Sequence, residues 1–263
     1  MPVAIQSPSA LGRCKGALVP NSYFNEQIAT RYDATSADML DPAVIGPAID
    51  FLADLAAGGA ALELGIGTGR IALPLSERGV PVHGIDESPD MVERLRAKGG
   101  VAIAVTIGDF ATTRVEGAFK LAYLVYNTIM NLTTQDEQVA CFRNVAEHLE
   151  PGGRFAIEVI VPPLRRLPPG ETVRAFALSP AHLGFDEFTD LTAAQLCYSH
   201  HYWLAGDGTV EVFSVPFRYV WPSELDLMAR IAGMTLRERW SGWTREPFTS
   251  ESTSHVSVWE TKA

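Results

Sequence analysis

At 263 residues the chain is long enough to bury a substantial core as one domain with an elaboration. Apolar residues make up 47% and charged residues 20%, an ordinary globular balance, while 31 acidic against 21 basic side chains leave a formal net charge of −10. The only basic clusters are the isolated pairs Arg165/Arg166 and Arg237/Arg239, so a nucleic-acid backbone is excluded as the expected partner.

Cys14, Cys141 and Cys197 are widely spaced and form no Cys-x-x-Cys pair, which makes neither a disulfide framework nor a zinc site and suits a reducing cytoplasm. No apolar run approaches the length of a membrane helix. Residues 1–20 lack the sustained apolar core of a signal peptide and read as a loose N-terminal extension. A cytoplasmic protein without a membrane or metal partner is expected.

Tyr23, Phe24, Tyr32 and Asp33 stand in a polar setting ahead of Asp41-Pro42, a good helix start with the carboxylate as cap and proline in the first position. Gly58-Gly59 ends that helix. Residues 60–64 form a short apolar run with Glu63 near its end, predicting a strand that breaks into Gly65, Gly67 and Gly69. A helix is predicted over residues 68–77, capped by Thr68 and bent at Pro74, which lacks a donor. Strand, glycine turn and helix together bring backbone amides close to a nucleotide-like ligand.

A second strand over 80–85 ends at Asp86, whose carboxylate can accept both hydroxyls of a ribose. A cap for the following helix is the competing role, and Ser88-Pro89 already supplies one. Residues 102–107 predict a third strand by β-branched content, followed by Gly108-Asp109-Phe110. The almost wholly apolar run 119–125 suits a central parallel strand. It emerges at Tyr126-Asn127-Thr128-Ile129-Met130-Asn131. A helix over 136–149, a Glu150-Pro-Gly-Gly153 stop and a strand over 154–160 follow.

Beyond Val161, Pro162, Pro163, Pro168 and Pro169 mark an irregular excursion. Residues 195–204 and 209–220 are then two aromatic-rich runs around the turn 205–208, a predicted β-hairpin. His200 and His201 are neighbours in a strand, so they point to opposite faces and only one can face a site. Neither stands at a metal-ligand spacing. A last helix is predicted from Ser223 as cap to Gly233, with final strands over 234–240 and 255–260.

Glu63-Leu-Gly65-Ile-Gly67-Thr-Gly69-Arg70, then Val82-His-Gly-Ile-Asp86, then Gly108-Asp109-Phe110 stand in one order and spacing. In this the chain resembles the class I S-adenosylmethionine-dependent methyltransferases, from about Tyr23 to its C-terminus. A nicotinamide-dependent oxidoreductase shares the glycine turn and the ribose acid. Its fingerprint, however, is Gly-x-Gly-x-x-Gly, and Glu63 and Gly108-Asp109-Phe110 have no place in it.

The resemblance implies an α/β fold: a Rossmann-like, seven-stranded, mostly parallel sheet with an antiparallel last strand, plus a small antiparallel β insert roofing the active site. The division implied is an extension (1–20), a cofactor-binding core (21–160), a substrate-side insert (161–217) and the end of the core (218–263). S-adenosylmethionine is the cofactor implied, held by Glu63, Gly65, Gly67, Gly69, Arg70, Asp86, Glu87, Met91, Gly108, Asp109, Phe110 and Tyr126. Asp109 would take the adenine amino group, with a plain turn as the alternative. Tyr23 and Tyr32 would fold over the cofactor or else merely pack the helix.

On the acceptor side the expected residues are Asn127, Asn131, His200 and Trp203, with His201 the candidate catalytic base. Relatives often place a His near Asn131, and its absence removes one obvious base. The expected reaction is methyl transfer to the nitrogen or oxygen of a small molecule, driven mainly by proximity and in-line alignment. A homodimer through the β insert is also implied. A non-catalytic S-adenosylmethionine-binding module is the rival reading from another class.

Overall fold

The computed structural model describes residues 26–35, 41–190, 193–204 and 206–263; Tyr23 and the N-terminal extension lie outside them. Helix α1 (Glu26–Thr35) carries Tyr32 and meets α4 (Pro89–Ala97) where Arg94 Nη2 donates to Thr30 Oγ1 at 2.7 Å. Helix α2 (Pro42–Ala56) starts as predicted: the Asp41 carboxylate accepts the Ala43 amide at 2.8 Å, and Pro42 occupies a position that needs no donor. Ala57, ahead of the glycine pair, takes the left-handed position at its end.

Strands β1 (Ala61–Leu64), β2 (Val82–Asp86), β3 (Ala104–Ile107), β4 (Phe119–Leu124) and β5 (Leu149–Ile160) run parallel. A separate antiparallel sheet follows, made of β6 (Val173–Leu178), β7 (His182–Asp190), β8 (Leu196–Leu204) and β9 (Val210–Arg218). The chain then returns through α6 (Pro222–Ile231), β10 (Thr235–Trp240) and β11 (Ser254–Glu260). The main sheet has seven strands in the order β10-β11-β5-β4-β1-β2-β3, with β11 antiparallel to both its neighbours. This is the sheet the family resemblance implies.

Central strands of such a sheet are covered on both faces, which is why β1 and β4 are nearly continuous apolar runs. On one face Phe51 and Leu52 of α2, Leu75 of α3 (Ala72–Glu77) and Leu95 of α4 pack on Ala61, Leu121 and Tyr123. On the other, Phe142 and Val145 of α5 (Gln135–His148) and Leu225 and Met228 of α6 pack on Leu62, Phe155 and Trp259. Phe188 of β7 and Cys197 of β8 belong to this second layer, so one end of the small sheet is part of the main core.

Four local expectations change. The helix after the glycine loop begins at Ala72, with Ile71 at its cap position and no side-chain cap, so Thr68 does not start it. Pro74 has no N–H to return to Arg70, which removes one helical hydrogen bond there, and it lies in the first turn, where it need not bend anything. The cap position of α6 is Trp221, with Pro222 first in the helix, which places Ser223 one residue inside. Strand β5 starts at Leu149, directly after α5, and the residues of the Pro-Gly-Gly turn are a bulge within it: Phe119 faces Leu149 while Leu121 faces Arg154. Finally, the β8–β9 hairpin is joined by β6 and β7, where only an irregular excursion was expected. The prolines before residue 170 mask them, and β6 shows no alternation of burial that would betray a strand.

Candidate functional site

The parallel strands all deliver their carboxyl ends to one edge, where an open α/β sheet binds its ligands. The chain leaves β1 through Gly65 (φ 69°), Gly67 (φ 55°) and Gly69 (φ 80°). A Cβ on Gly69 would stand 2.0 Å from Leu95 Cδ1, so this glycine lets α4 close on the loop. A Cβ on Gly67 would meet nothing nearer than Met91 Cε at 3.8 Å and Gly65 O at 4.0 Å, so this face of the loop is open.

Asp86, at the end of β2, ties the loop down. Its Oδ2 accepts the Gly67 amide at 2.7 Å and its Oδ1 the Ser88 amide at 2.8 Å. The helix-capping role belongs to Ser88, whose hydroxyl accepts the Met91 amide at 3.2 Å. Burial raises the Asp86 pKa, and the two amides pull the other way. Each oxygen keeps a lone pair for a further donor.

Glu63 is only 2% exposed. Tyr123 donates its hydroxyl to Glu63 Oε2 at 2.9 Å, but desolvation dominates and pushes the Glu63 carboxyl up to about 8. The nearby Arg70 charge opposes that rise, and the Arg70 guanidinium lies 4.6 Å from the centre of the Tyr126 ring.

Beyond β3, the Gly108 amide bonds Asp86 O at 2.9 Å, joining the two loops. The Asp109 carboxylate accepts the Ala111 amide at 2.8 Å, so it shapes its own turn. Asn144 of α5 supports that turn by donating to Phe110 O and Thr113 O, both at 3.0 Å. His148 donates from Nδ1 to Asn144 O at 2.7 Å, which leaves Nε2 to accept the Val115 amide at 3.0 Å. A cavity of about 150 Å³ opens here, lined by Glu87, Asp109, Phe110, Asn131, Leu132, Thr133 and Glu137. Asn131, expected on the acceptor side, thus shares a wall with three residues expected around the cofactor.

At the end of β4, Tyr126 (φ 55°) and Asn127 (φ 63°) are successive non-glycine residues in left-handed conformation. Such strain persists only where surrounding structure enforces it. Glu158 of β5 does so: Oε2 accepts the Tyr126 amide and Oε1 the Trp243 indole N–H, at 2.9 and 2.8 Å. Asn127 Oδ1 accepts the Ile160 amide at 2.8 Å. Sequence reasoning missed Glu158, Trp243 and Tyr123. A charged residue inside the otherwise apolar run 155–160 was the available signal for the first.

In the small sheet His200 and His201 do point apart. His200 bonds Ser214 Oγ at 2.7 Å and Glu187 Oε2 at 3.2 Å. His201 stacks with His182 and Trp203, lies beside Phe176 and Phe213, and shares a hydrogen bond of 3.1 Å with His182. Burial, then the neighbouring histidines, lowers the His201 pKa to about 4. These partners all belong to the second sheet. That sheet meets the core at Arg218, which donates to Gln138 Oε1 (2.5 Å), Gln195 Oε1 (2.9 Å) and Glu224 Oε1 (2.6 Å). Gln138 in turn donates to Ile129 O and Leu132 O at 3.2 and 3.1 Å, bracing the 3₁₀ turn Thr128–Asn131.

Among the described residues no group of three or more His, Cys, Asp or Glu is placed to hold a metal, and no helix is long and apolar enough to cross a membrane. A glycine loop buttressed by the acid of the second strand, beside a conformationally strained fourth-strand exit, is the arrangement of an α/β protein that binds a nucleoside-bearing cofactor. A family model described as a methyltransferase domain matches residues 61–153. The CcbJ methyltransferase of Streptomyces caelestis is 37% identical, over 82% of this chain and 89% of that one, with a TM-score of 0.75. A cypemycin N-terminal methyltransferase from a Streptomyces species is 28% identical over 244 residues, 87% of this chain and 97% of the relative. The S-adenosylmethionine-bound structure of an amino pentose methyltransferase from Micromonospora echinaspora shares the fold (TM-score 0.60) at 20% identity, over 80% of this chain and 89% of that one. The chain belongs to the S-adenosylmethionine-dependent methyltransferase family, and S-adenosylmethionine is its cofactor. Membership leaves no place for the nicotinamide alternative.

Proposed function

We propose that this enzyme methylates an amine nitrogen of a small molecule. Gly65, Gly67 and Gly69 would line the cofactor, with Asp86 holding its ribose and Glu63 and Arg70 meeting its amino-acid end. Tyr32 and Met91 would cover its flanks. The cofactor's sulfonium supplies a methyl group already activated for displacement. The acceptor nitrogen's lone pair forms the new C–N bond as the S–C bond breaks, and the product amine loses its proton to solvent. The chain's task is then approach, alignment and exclusion of water.

The observation that carries this reading is the composition of the fourth-strand exit. Tyr126, Asn127, Thr128 and Asn131 offer hydrogen bonds but no side chain that takes a proton near neutrality. A neutral amine needs none, whereas a phenol or alcohol benefits from one. The relatives' names agree, since one acts at a peptide N-terminus and another on an amino sugar. His201 and Trp203, on one face of β8, would contact the acceptor's ring or chain, while His200 faces away from them. The face that carries Tyr198 also presents the exposed Leu183 and Val212, an apolar surface fit for a second copy of the chain.

The test supplies S-adenosylmethionine with an amino sugar, a peptide bearing a free α-amine, a catechol and a carboxylic acid, and follows S-adenosylhomocysteine and acceptor mass. Methylation of the amines alone is expected. Methylation of the catechol alone would overturn the nitrogen assignment.

A further inference from the structure

We propose that Trp243 is a positioning residue for methyl transfer, its indole N–H holding the Glu158 carboxylate where that carboxylate can fix the fourth-strand exit. The exit packs against the glycine loop itself: a Cβ on Gly65 would stand 2.7 Å from Thr128 Cγ2. A small displacement of residues 126–128 is therefore felt by the loop, because close-packed contacts of this kind transmit strain. Tyr126 also meets the residue that follows Gly69, since the Arg70 guanidinium lies 4.6 Å from the centre of its ring.

Tyr126 holds a left-handed backbone (φ 55°), which a bulky side chain leaves unless it is tied. Its amide is tied to Glu158 Oε2 at 2.9 Å. A glutamate carboxylate is a loose anchor, because fixing its rotamers costs entropy, unless its other oxygen is held as well. Trp243 Nε1 donates to Oε1 at 2.8 Å, and the indole is itself restrained. Its ring meets Phe51 of α2 edge-on, with centroids 5.5 Å apart, and Phe51 is 1% exposed. The Arg245 guanidinium lies 4.4 Å from the centre of the Phe51 ring. Ser241 N donates to Glu246 O at 2.8 Å, closing the chain between β10 and β11 around Trp243. A ring buried against the main sheet in this way governs a backbone amide at the strand exit, through one indole and one carboxylate. The role holds whichever acceptor atom is methylated.

Trp243→Phe in the full chain keeps a ring against Phe51 and removes the donor. With saturating S-adenosylmethionine, and an amino sugar and a peptide bearing a free α-amine as acceptors, kcat should fall about fivefold, part of the loss a misplaced group can cause. Titration with S-adenosylhomocysteine should give a Kd within about twofold of wild type. Amide exchange followed by NMR without cofactor should be about tenfold faster at Tyr126, and unchanged at Gly65, whose amide bonds Ile85 O. Trp243→Phe combined with Glu158→Gln should be scarcely slower than Glu158→Gln alone, because the two act on one contact. Thermal melts accompany each variant, and Trp243→Leu replaces Trp243→Phe if the latter does not fold. Unchanged exchange at Tyr126, unchanged kcat, or a loss of cofactor affinity as large as the loss of rate overturns the role. If wild type methylates neither amine, the nitrogen assignment fails, and the exchange at Tyr126 alone decides for or against Trp243.

Discussion

The Glu158 carboxylate holds the backbone of Tyr126, accepting its amide at 2.9 Å while its second oxygen takes the Trp243 indole. Two donors converge on one side chain, one of them from the left-handed Tyr126. Glu158→Gln can satisfy one donor but presents its own N–H to the other. It should lower stability by about 1–2 kcal/mol. Methyl transfer should slow about tenfold, a milder form of the losses that misplaced groups cause, with S-adenosylmethionine affinity nearly unchanged. Loss of cofactor binding with intact transfer at saturation would contradict the role given to this turn.

Glu63 makes stability depend on pH in an unusual direction. Its folded pKa, about 8 through burial, lies above the ordinary 4.5, so between those values the native state holds a proton that the unfolded chain has released. Stability from this group is full below the unfolded value and is lost as pH rises through the folded one. Tyr123, Arg70 and Asp86 surround it and are unchanged in the test. Glu63→Gln should flatten the melting temperature between pH 5 and 8 in the cofactor-free protein, as differential scanning calorimetry will show. An unchanged slope would remove Glu63 as its source.

Asp86→Ala removes the acceptor for Gly67 and Ser88 together with the proposed ribose contacts, so cofactor binding should weaken by about 100-fold. Asp86→Asn keeps one acceptor oxygen and should fall between. Titration calorimetry at one salt concentration ranks the three proteins, and equal affinities would exclude the ribose role.

Gly69→Ala brings a Cβ within 2.0 Å of Leu95 Cδ1 at a backbone φ of 80°. Overpacking and strain together should destabilise by about 2–3 kcal/mol. Paired with Leu95→Val, the loss should be smaller than the sum, because the two share one contact. Strict additivity in urea melts would show that the clash relaxes elsewhere.

Burial alone would raise the Glu224 pKa, yet hydrogen bonds from Arg218, Gln195 and Gln135 hold it below the usual carboxylate range. Its contribution is therefore present above the ordinary value and lost as pH falls through the depressed one. Arg218→Met leaves a part-buried carboxylate without its cation and should cost about 3 kcal/mol at pH 7. The deficit should shrink in acid, and a deficit independent of pH would point to packing instead.

The sheet and cofactor loop were readable because their constraints are local. Gly65, Gly67 and Gly69 advertise backbone conformation, Asp86 an acceptor at a strand end, and residues 119–124 a strand buried on both faces. Thr68 misled because it has the chemistry of a cap, whereas the helix starts at Ala72 without any side-chain cap. Glu158, Arg218 and Asn144 act across 32, 80 and 34 residues of chain, and no periodicity encodes such partners. Strands β6 and β7 stayed hidden because β6 is almost wholly exposed, so nothing in its pattern reports a buried face.

Among the described residues, one end of the small sheet is rooted in the main core. Cys197, Phe188 and Arg218 are rooted in the main core, while Leu204, Val210 and Val212 at the far end stand exposed. Changes along those outer rungs touch neither the glycine loop nor the Asp86 clasp, so the far end of the sheet can be altered while the loop and its clasp stay as they are.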